Sequence, residues 1–446
     1  MSDFLKEILE IEDEEDVFLN AGKWSQLTEE ETDAYIETVF KYYREKGFPY
    51  YPTNKLYRLK RFKALMGMDD SKVIKGKIVT QQLHGLSLCW TYMPHSWGVK
   101  CGGAKYTPLE VFEDDDHFRA VIRKVMTLGY SSMGAASIRG MVRIYRGAQS
   151  VSNFRPTSAS ALYKYFCNPG DTVLDSSSGY GGRLMGAIKA KVNYIGYDPC
   201  TPSWNGLQEM IKDWGNPGNT YTIHHGGSED MDLPENSVDF AFTSPPYFNT
   251  EKYSDEETQS WKKYPTREEW LNGFLKDTIR NVHHALKPGK LMGINIAKVK
   301  SYKTIEEDCI RVAEECGFVL VDTWKYAMSN LMWTLPNKDR ATSTEPYSKF
   351  EPIFWFRKKS GNDDDGGLIK KVDLDGDNAI DVQTFDFFDQ PTPKPEPEVF
   401  DFFEGDSESK SEAQPETKSE LPVSPVVQPE LEPDVELKDK PDSEII

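Results

Sequence analysis

From residue 153 to residue 358 the chain alternates short apolar runs with longer stretches of helical spacing. The apolar runs are TVLD (172–175), NYIGYD (193–198), YTIHH (221–225), VDFAFT (238–243), LMGINIA (291–297), FVLVDT (318–323) and EPIFWFR (351–357). Each has the length of a strand and is bounded by turn-forming residues. Helical patterns fill the gaps between the first five or six. Together they predict an α/β fold with a seven-stranded, doubly wound sheet. Ligands in such sheets bind outside the carboxyl ends of the strands, where the winding reverses. The residues to read for chemistry are therefore those that follow strands.

On either side the pattern changes. Residues 1–150 read as a mainly helical extension, a region for contact with or recognition of a nucleic acid. Residues 53–77 carry eight Lys/Arg against two Asp, with Tyr57 and Phe62 interleaved. Such a stretch either tracks phosphates or forms a solvated helix face. Arg139, Arg143 and Arg146 recur at helical spacing, which predicts three guanidiniums on one helix face, open to the same two readings. Residues 151–359 form the α/β domain. Residues 360–446 are Pro-, Glu- and Ser-rich and are expected to be disordered. Within them FDFF occurs twice, at 385–388 and 400–403. Phenylalanines in a solvating tail have no core to join, so the repeat predicts a docking motif.

Charge sharpens this division. The formal net charge is -19, but residues 361–446 hold 25 Asp/Glu and 7 Lys/Arg, and the rest of the chain is close to neutral. The acidity belongs to the tail and does not argue against a nucleic-acid partner for the remainder. The six cysteines form no C-x-x-C pair, so neither a zinc site nor a disulfide framework is indicated. No apolar run approaches the length of a membrane span, and the first residues lack a signal pattern, so a soluble intracellular protein is expected. The acidic run at 373–381 resembles a calcium loop but lacks its glycine and closing glutamate, so it reads as solvated; no metal site is expected.

Chemistry concentrates after the strands. The first strand runs into LDSSSGYGGRLMGA, with Asp175, Gly179 and Gly181 in a tight turn before a helix. Glycines there let a backbone approach a ligand closely, beside the donors of the helix N-terminus. The loop has no lysine, as a triphosphate loop would, and lacks G-x-G-x-x-G spacing, so a nucleoside-like cofactor is expected. The second strand ends in Asp198, placed to accept hydrogen bonds from ribose hydroxyls. The third leads into Ser228, Glu229 and Asp230, near where an adenine amino group would lie. The fourth stops at Ser244-Pro245-Pro246-Tyr247. Two prolines end any ladder and make a rigid corner without N–H donors, capped by an aromatic ring.

In that order, LDSSSGYGG, YDP, GGSEDMDLPENSVDFAFTSPPYFN and ALKPGKLMGIN resemble the S-adenosylmethionine-dependent DNA amino-methyltransferases, over about residues 150–358. The resemblance implies a Rossmann-like class I methyltransferase fold, S-adenosyl-L-methionine as cofactor and DNA as partner. It implies that Ser244, Pro245, Pro246 and Tyr247 line the target-base pocket. It also implies that Phe154, Arg155 and Pro156 pack on the methionine end of the cofactor. Asp175, Gly179, Gly181, Asp198, Ser228 and Asp230 complete the expected cofactor site. Ser176 and Ser177 depart from the family pattern, where an aromatic residue or proline often follows the first-strand Asp. A neutral Ser at the head of the tetrapeptide favours N4 of cytosine over N6 of adenine. An RNA base amino-methyltransferase and a non-catalytic binding protein are the alternatives. The FDFF repeat resembles peptides that hold a sliding clamp. The family also implies the cytoplasm of a prokaryotic cell or phage-infected host, in a setting such as restriction–modification.

Overall fold

The computed structural model describes residues 18–128, 130–328 and 349–360. Its centre is one sheet of mixed direction. In chain order its strands are β1 (Ile74–Lys75), β2 (Ile78–Val79), β4 (Thr172–Asp175), β5 (Asn193–Asp198), β6 (Tyr221–His225), β7 (Phe240–Thr243), β9 (Leu291–Asn295), β10 (Phe318–Met328) and β11 (Lys349–Lys358). A separate short pair joins β3 (Lys100–Cys101) to β8 (Glu251–Lys252). The sheet order is β1-β2-β10-β11-β9-β7-β4-β5-β6. Strands β4, β5, β6, β7 and β9 run parallel, and β11 lies antiparallel between β9 and β10.

The chain winds outward from β4 through β5 to β6, then returns to place β7 on the other side of β4. The reversal between β4 and β7 makes their carboxyl ends the natural mouth of a binding site. All seven expected strands are present, and the fold is the Rossmann-like α/β sheet. The sheet is wider than expected: nine strands, because β1 and β2 form a hairpin and β2 pairs in parallel with the edge of β10. Two-residue strands inside a basic stretch carry too little pattern to announce themselves.

Both faces of the sheet are covered, which explains the uninterrupted apolar strands. On one face the helices Pro156–Phe166 and Gly182–Ala190 pack tightly, and Gly186 is what lets them approach: a Cβ there would fall 2.5 Å from that of Ala159. The other face carries the helices Lys276–Ala285 and Ile305–Glu315. The amino-terminal part builds its own core from the helices Glu29–Lys46, Asp115–Thr127 and Ala135–Val142. It is not confined to that core. Leu65, Val73, Val79, Leu88 and Trp90 belong to the same buried cluster as Val173, Leu184 and Trp355.

The arginine expectation needs correcting. The helix ends at Val142, so Arg143 caps it, and Arg139 is buried with its Nη1 donating to the Pro49 carbonyl oxygen at 2.8 Å. They do not form one solvent-facing row, and the Arg146 side chain lies outside the described residues. In the basic stretch, the helix Lys55–Met66 keeps Lys55, Lys60, Arg61 and Lys63 exposed, whereas Arg58 turns inward to Thr91 and Asp213. No helix among the described residues is long and apolar enough to cross a membrane. The two FDFF motifs, the expected disorder of the tail and the acidic run at 373–381 lie outside the described residues.

Candidate functional site

Asp175, at the end of β4, is completely buried and fully used. Its Oδ2 accepts from Arg183 Nε at 2.7 Å and from the Tyr194 hydroxyl, and its Oδ1 accepts from Thr243 Oγ1 at 3.0 Å and from Ser177 N at 3.2 Å. These donors come from β5, β7, the following helix and the loop itself. A buried carboxylate needs such a set. Asp175 therefore ties the reversal point together, and it does not face the cleft.

The glycine loop is shaped from two sides. Gly179 and Gly181 have φ of 57° and 79°, the left-handed region that residues with a side chain avoid. Asn153 clamps the turn: its Oδ1 accepts from Gly182 N at 3.2 Å and its Nδ2 donates to the Tyr180 carbonyl oxygen at 3.1 Å. At Gly182 the backbone of Phe154 comes so near that a Cβ would lie 1.8 Å from its carbonyl oxygen. The segment carrying Phe154 and Arg155 is thus wedged against the loop.

Asp198 ends β5 with both oxygens accepting backbone N–H groups, from Gly179 at 2.8 Å and Cys200 at 2.9 Å. Among the described residues no cation pairs with it, and burial pushes its carboxyl up to about 7 despite those hydrogen bonds. After β6, Ser228 faces inward and hydrogen-bonds Thr278 at 2.9 Å, while Asp230 is largely exposed and pairs with Lys263. Glu229 is the buried one. Its Oε1 accepts from Lys263 Nζ at 2.6 Å and its Oε2, also buried, has no partner.

After β7 the proline corner turns the chain, and Phe248 takes φ of 59°, rare for a bulky residue. It is held there by its N–H donating to the Pro246 carbonyl oxygen at 3.0 Å and by rings of Trp270 and Tyr302 on either hand. The Tyr247 hydroxyl donates to Glu351 Oε2 at 3.1 Å and lies 3.3 Å from the Asn295 carbonyl oxygen, so the ring is fixed at its tip. Burial raises the pKa of both Tyr247 and Glu351.

A cleft of about 1040 Å³ opens at this end of the sheet. Phe154, Arg155, Gly179, Asp198, Ser228, Ser244, Pro245, Pro246 and Tyr247 all line it; Pro156, Asp175, Gly181 and Asp230 do not. Several buried polar atoms in its wall have no partner: Ser176 Oγ, Tyr180 OH, Glu229 Oε2, Thr250 Oγ1 and Gln259 Nε2. Buried polar groups are normally satisfied, so such a concentration fits a cavity built for a polar guest. Asp198 and Glu229 offer it carboxyl oxygens, and Gly179 leaves the wall open. Glu351 was not among the residues selected from sequence, and Glu229 was noted beside Ser228 and Asp230 but left out of the expected cofactor site. The available signals were a lone acid opening an apolar strand at 351 and the middle acid of a three-residue cluster at 229.

Over residues 238–427 the chain matches the DNA methylase family. The match takes in the proline corner and begins after the glycine loop and Asp198. The chain is a methyltransferase, and this family draws its methyl group from S-adenosyl-L-methionine. No curated protein matches it. Among solved structures, the [4+2]-cyclase SpnF is 13% identical, with 47% of this chain on 85% of that one at a TM-score of 0.33. A TehB-like S-adenosylmethionine-dependent methyltransferase from Corynebacterium glutamicum is 15% identical, with 47% of this methyltransferase on 90% of it at 0.31. An O-methyltransferase from Thermotoga maritima is 13% identical, with 48% and 69% covered at 0.33. Likenesses at these TM-scores carry no weight beside the strand order itself.

Proposed function

We propose that this methyltransferase acts on DNA and methylates an exocyclic amino nitrogen, N4 of cytosine in preference to N6 of adenine. One observation carries the reading: Asp198 and the Ser244–Tyr247 corner open on one cleft whose wall is dotted with unpartnered buried polar atoms. The match to the DNA methylase family supports the substrate class.

An amino nitrogen on a nucleobase is a poor nucleophile because its lone pair is delocalised into the ring. The cofactor supplies a methyl group already activated on sulfonium, so the protein has mainly to position and polarise. The Ser244 hydroxyl and the Pro245 carbonyl accept the two amino hydrogens, which favours a pyramidal nitrogen with its lone pair turned to the methyl group. The prolines keep these acceptors from relaxing. Tyr247, anchored through its hydroxyl, offers its ring to a base swung out of the duplex, offsetting the few kcal/mol of lost stacking. Asp198 and Glu229 hold the ribose and adenine of the donor, and Phe154 and Arg155 the methionine end. Ser244 is neutral, and in the family that the motifs resemble Ser-Pro-Pro-Tyr leans toward N4 of cytosine. Chain segments 1–150, 151–359 and 360–446 take the roles of nucleic-acid contact, catalysis and tether.

Nucleosides from DNA of cells expressing the protein, analysed by mass spectrometry, are expected to contain N4-methylcytosine, and Tyr247→Ala to abolish it. N6-methyladenine alone would reverse the base preference. Labelled methyl groups passing to structured RNA but not to duplex DNA would move the reading to RNA. No labelled product on either would sink it.

A further inference from the structure

One arginine in the cleft wall has no role in this chemistry. Arg143, at the end of the Ala135–Val142 helix, lines the cleft together with Trp90, Ile144 and Arg155. Its guanidinium lies 4.4 Å from the Trp97 ring centre and 5.9 Å from that of Trp90, and its Nε is buried without a partner. The Tyr51 hydroxyl is its polar neighbour. Arg139 stands behind it, 4.2 Å over the Tyr51 ring, with its own Nε unpartnered. Arg155 gives its Nε to Gln81 Oε1 at 3.1 Å. The Arg155 backbone N–H donates to the Tyr326 hydroxyl at 3.3 Å, and among the described residues none of these three arginines forms an ion pair.

Such an arrangement works against folding. Buried charges are normally paired, because the lost hydration is not otherwise recovered. Aromatic faces recover part of it, but Arg139 and Arg155 also repel Arg143, and burial and that repulsion together lower its pKa. Two other buried cations are ion-paired, Arg183 with Asp175 and Lys189 with Asp70, and the Lys358 ammonium is satisfied by the Asn236 side-chain oxygen and the Leu286 carbonyl oxygen. The missing partner of Arg143 is an anion that arrives from outside. We propose that Arg143, with Arg155 beside it, forms an oxyanion-binding site in the cleft wall that is filled in the substrate complex. The oxyanion is a phosphodiester of the nucleic acid or the carboxylate of the methyl donor, both of which a planar guanidinium grips through two N–H groups. The aromatic rings hold the guanidinium in plane before the anion arrives.

This inference rests on the methyltransferase reading, and binding measurements separate the two. Wild type and Arg143→Met are compared for affinity toward a fluorescent 20-base-pair duplex across salt concentrations. They are also compared by calorimetry toward S-adenosylmethionine and toward 5′-methylthioadenosine, which lacks the carboxylate. For a phosphodiester, Arg143→Met weakens duplex binding at least tenfold and makes the logarithmic salt dependence shallower by about one. For the carboxylate, it weakens S-adenosylmethionine binding at least tenfold and leaves 5′-methylthioadenosine unchanged. In either case Arg143→Lys recovers part of the loss, and the ligand-free Arg143→Met protein melts higher than wild type, because a partly buried charge with no ion-pair partner has gone. A structural arginine would do the opposite. Affinities within twofold of wild type in both arms, or a lower melting temperature rescued by neither ligand, would overturn the site. A wild-type protein that binds neither ligand would instead refute the methyltransferase reading.

Discussion

Asp198 couples ligand binding to stability in a way that a titration can read. Its pKa is raised from 3.8 to about 7 by burial. A carboxyl shifted upward binds its proton more tightly in the folded protein than in the unfolded chain. Its contribution to stability is therefore complete below about pH 4 and is lost as pH rises through about 7. Asp198→Asn should melt higher than wild type at pH 8, with the difference shrinking as pH falls from 7 toward 4. The same variant should bind S-adenosylmethionine at least tenfold more weakly, measured by calorimetry. Across the cleft, Glu351 acts on the tyrosine. With its carboxyl receiving the Tyr247 hydroxyl, Glu351→Gln should keep the fold and the donor affinity while raising KM for the nucleic acid several-fold. Tyr247→Phe should do the same, because both changes free the tip of the ring. Unequal effects in steady-state kinetics would mean that the carboxyl does more than hold the ring.

Among the elements, the strands were readable and the edges were not. Phe240–Thr243 and Leu291–Asn295 are buried throughout, so they read as plain apolar runs whatever their neighbours. The hairpin of β1 and β2 was hidden, because two-residue strands inside a lysine-rich stretch give no alternation to read. β10 runs five residues beyond its apolar core to Met328, carried there by pairing with β11 and not by its own sequence. The site divides likewise. Gly179, Asp198 and Ser244–Tyr247 could be picked out because each lies at or shortly after the end of a strand. Glu351 could not, because its meaning depends on what faces it across the cleft, and Glu229 could not be told from Ser228 and Asp230 beside it. Asp175 looked like a ligand contact from its place in the motif, yet its oxygens are spent on four internal donors. The tight loop permits a further test. Gly182→Ala would drive a methyl group into the Phe154 carbonyl and should cost about 3 kcal/mol. Denaturant unfolding measures that loss, and donor binding should fail with it. A variant as stable as wild type would mean the loop relaxes freely.

At the scale of the molecule, the amino-terminal part is not an appendage. Trp90, Tyr92 and Met93 sit in the cluster that covers one face of the sheet, and a Cβ at Gly206 would fall 2.6 Å from the Tyr92 carbonyl oxygen. Removing residues 1–150 would strip that face and should leave an insoluble or molten product, visible as loss of a cooperative melt. Removal of residues 384–446 should leave the melt unchanged. The short ladder of β3 with β8 bears on how the parts act together. Lys252 follows the proline corner by a few residues, and its Cα partner is Lys100, in the part that carries the Arg143 wall. Whatever nudges one side of this splice drags the other, so under the proposed function seizing the polymer and presenting its base would become a single motion, and a variant that cuts the splice should lose grip and turnover in step.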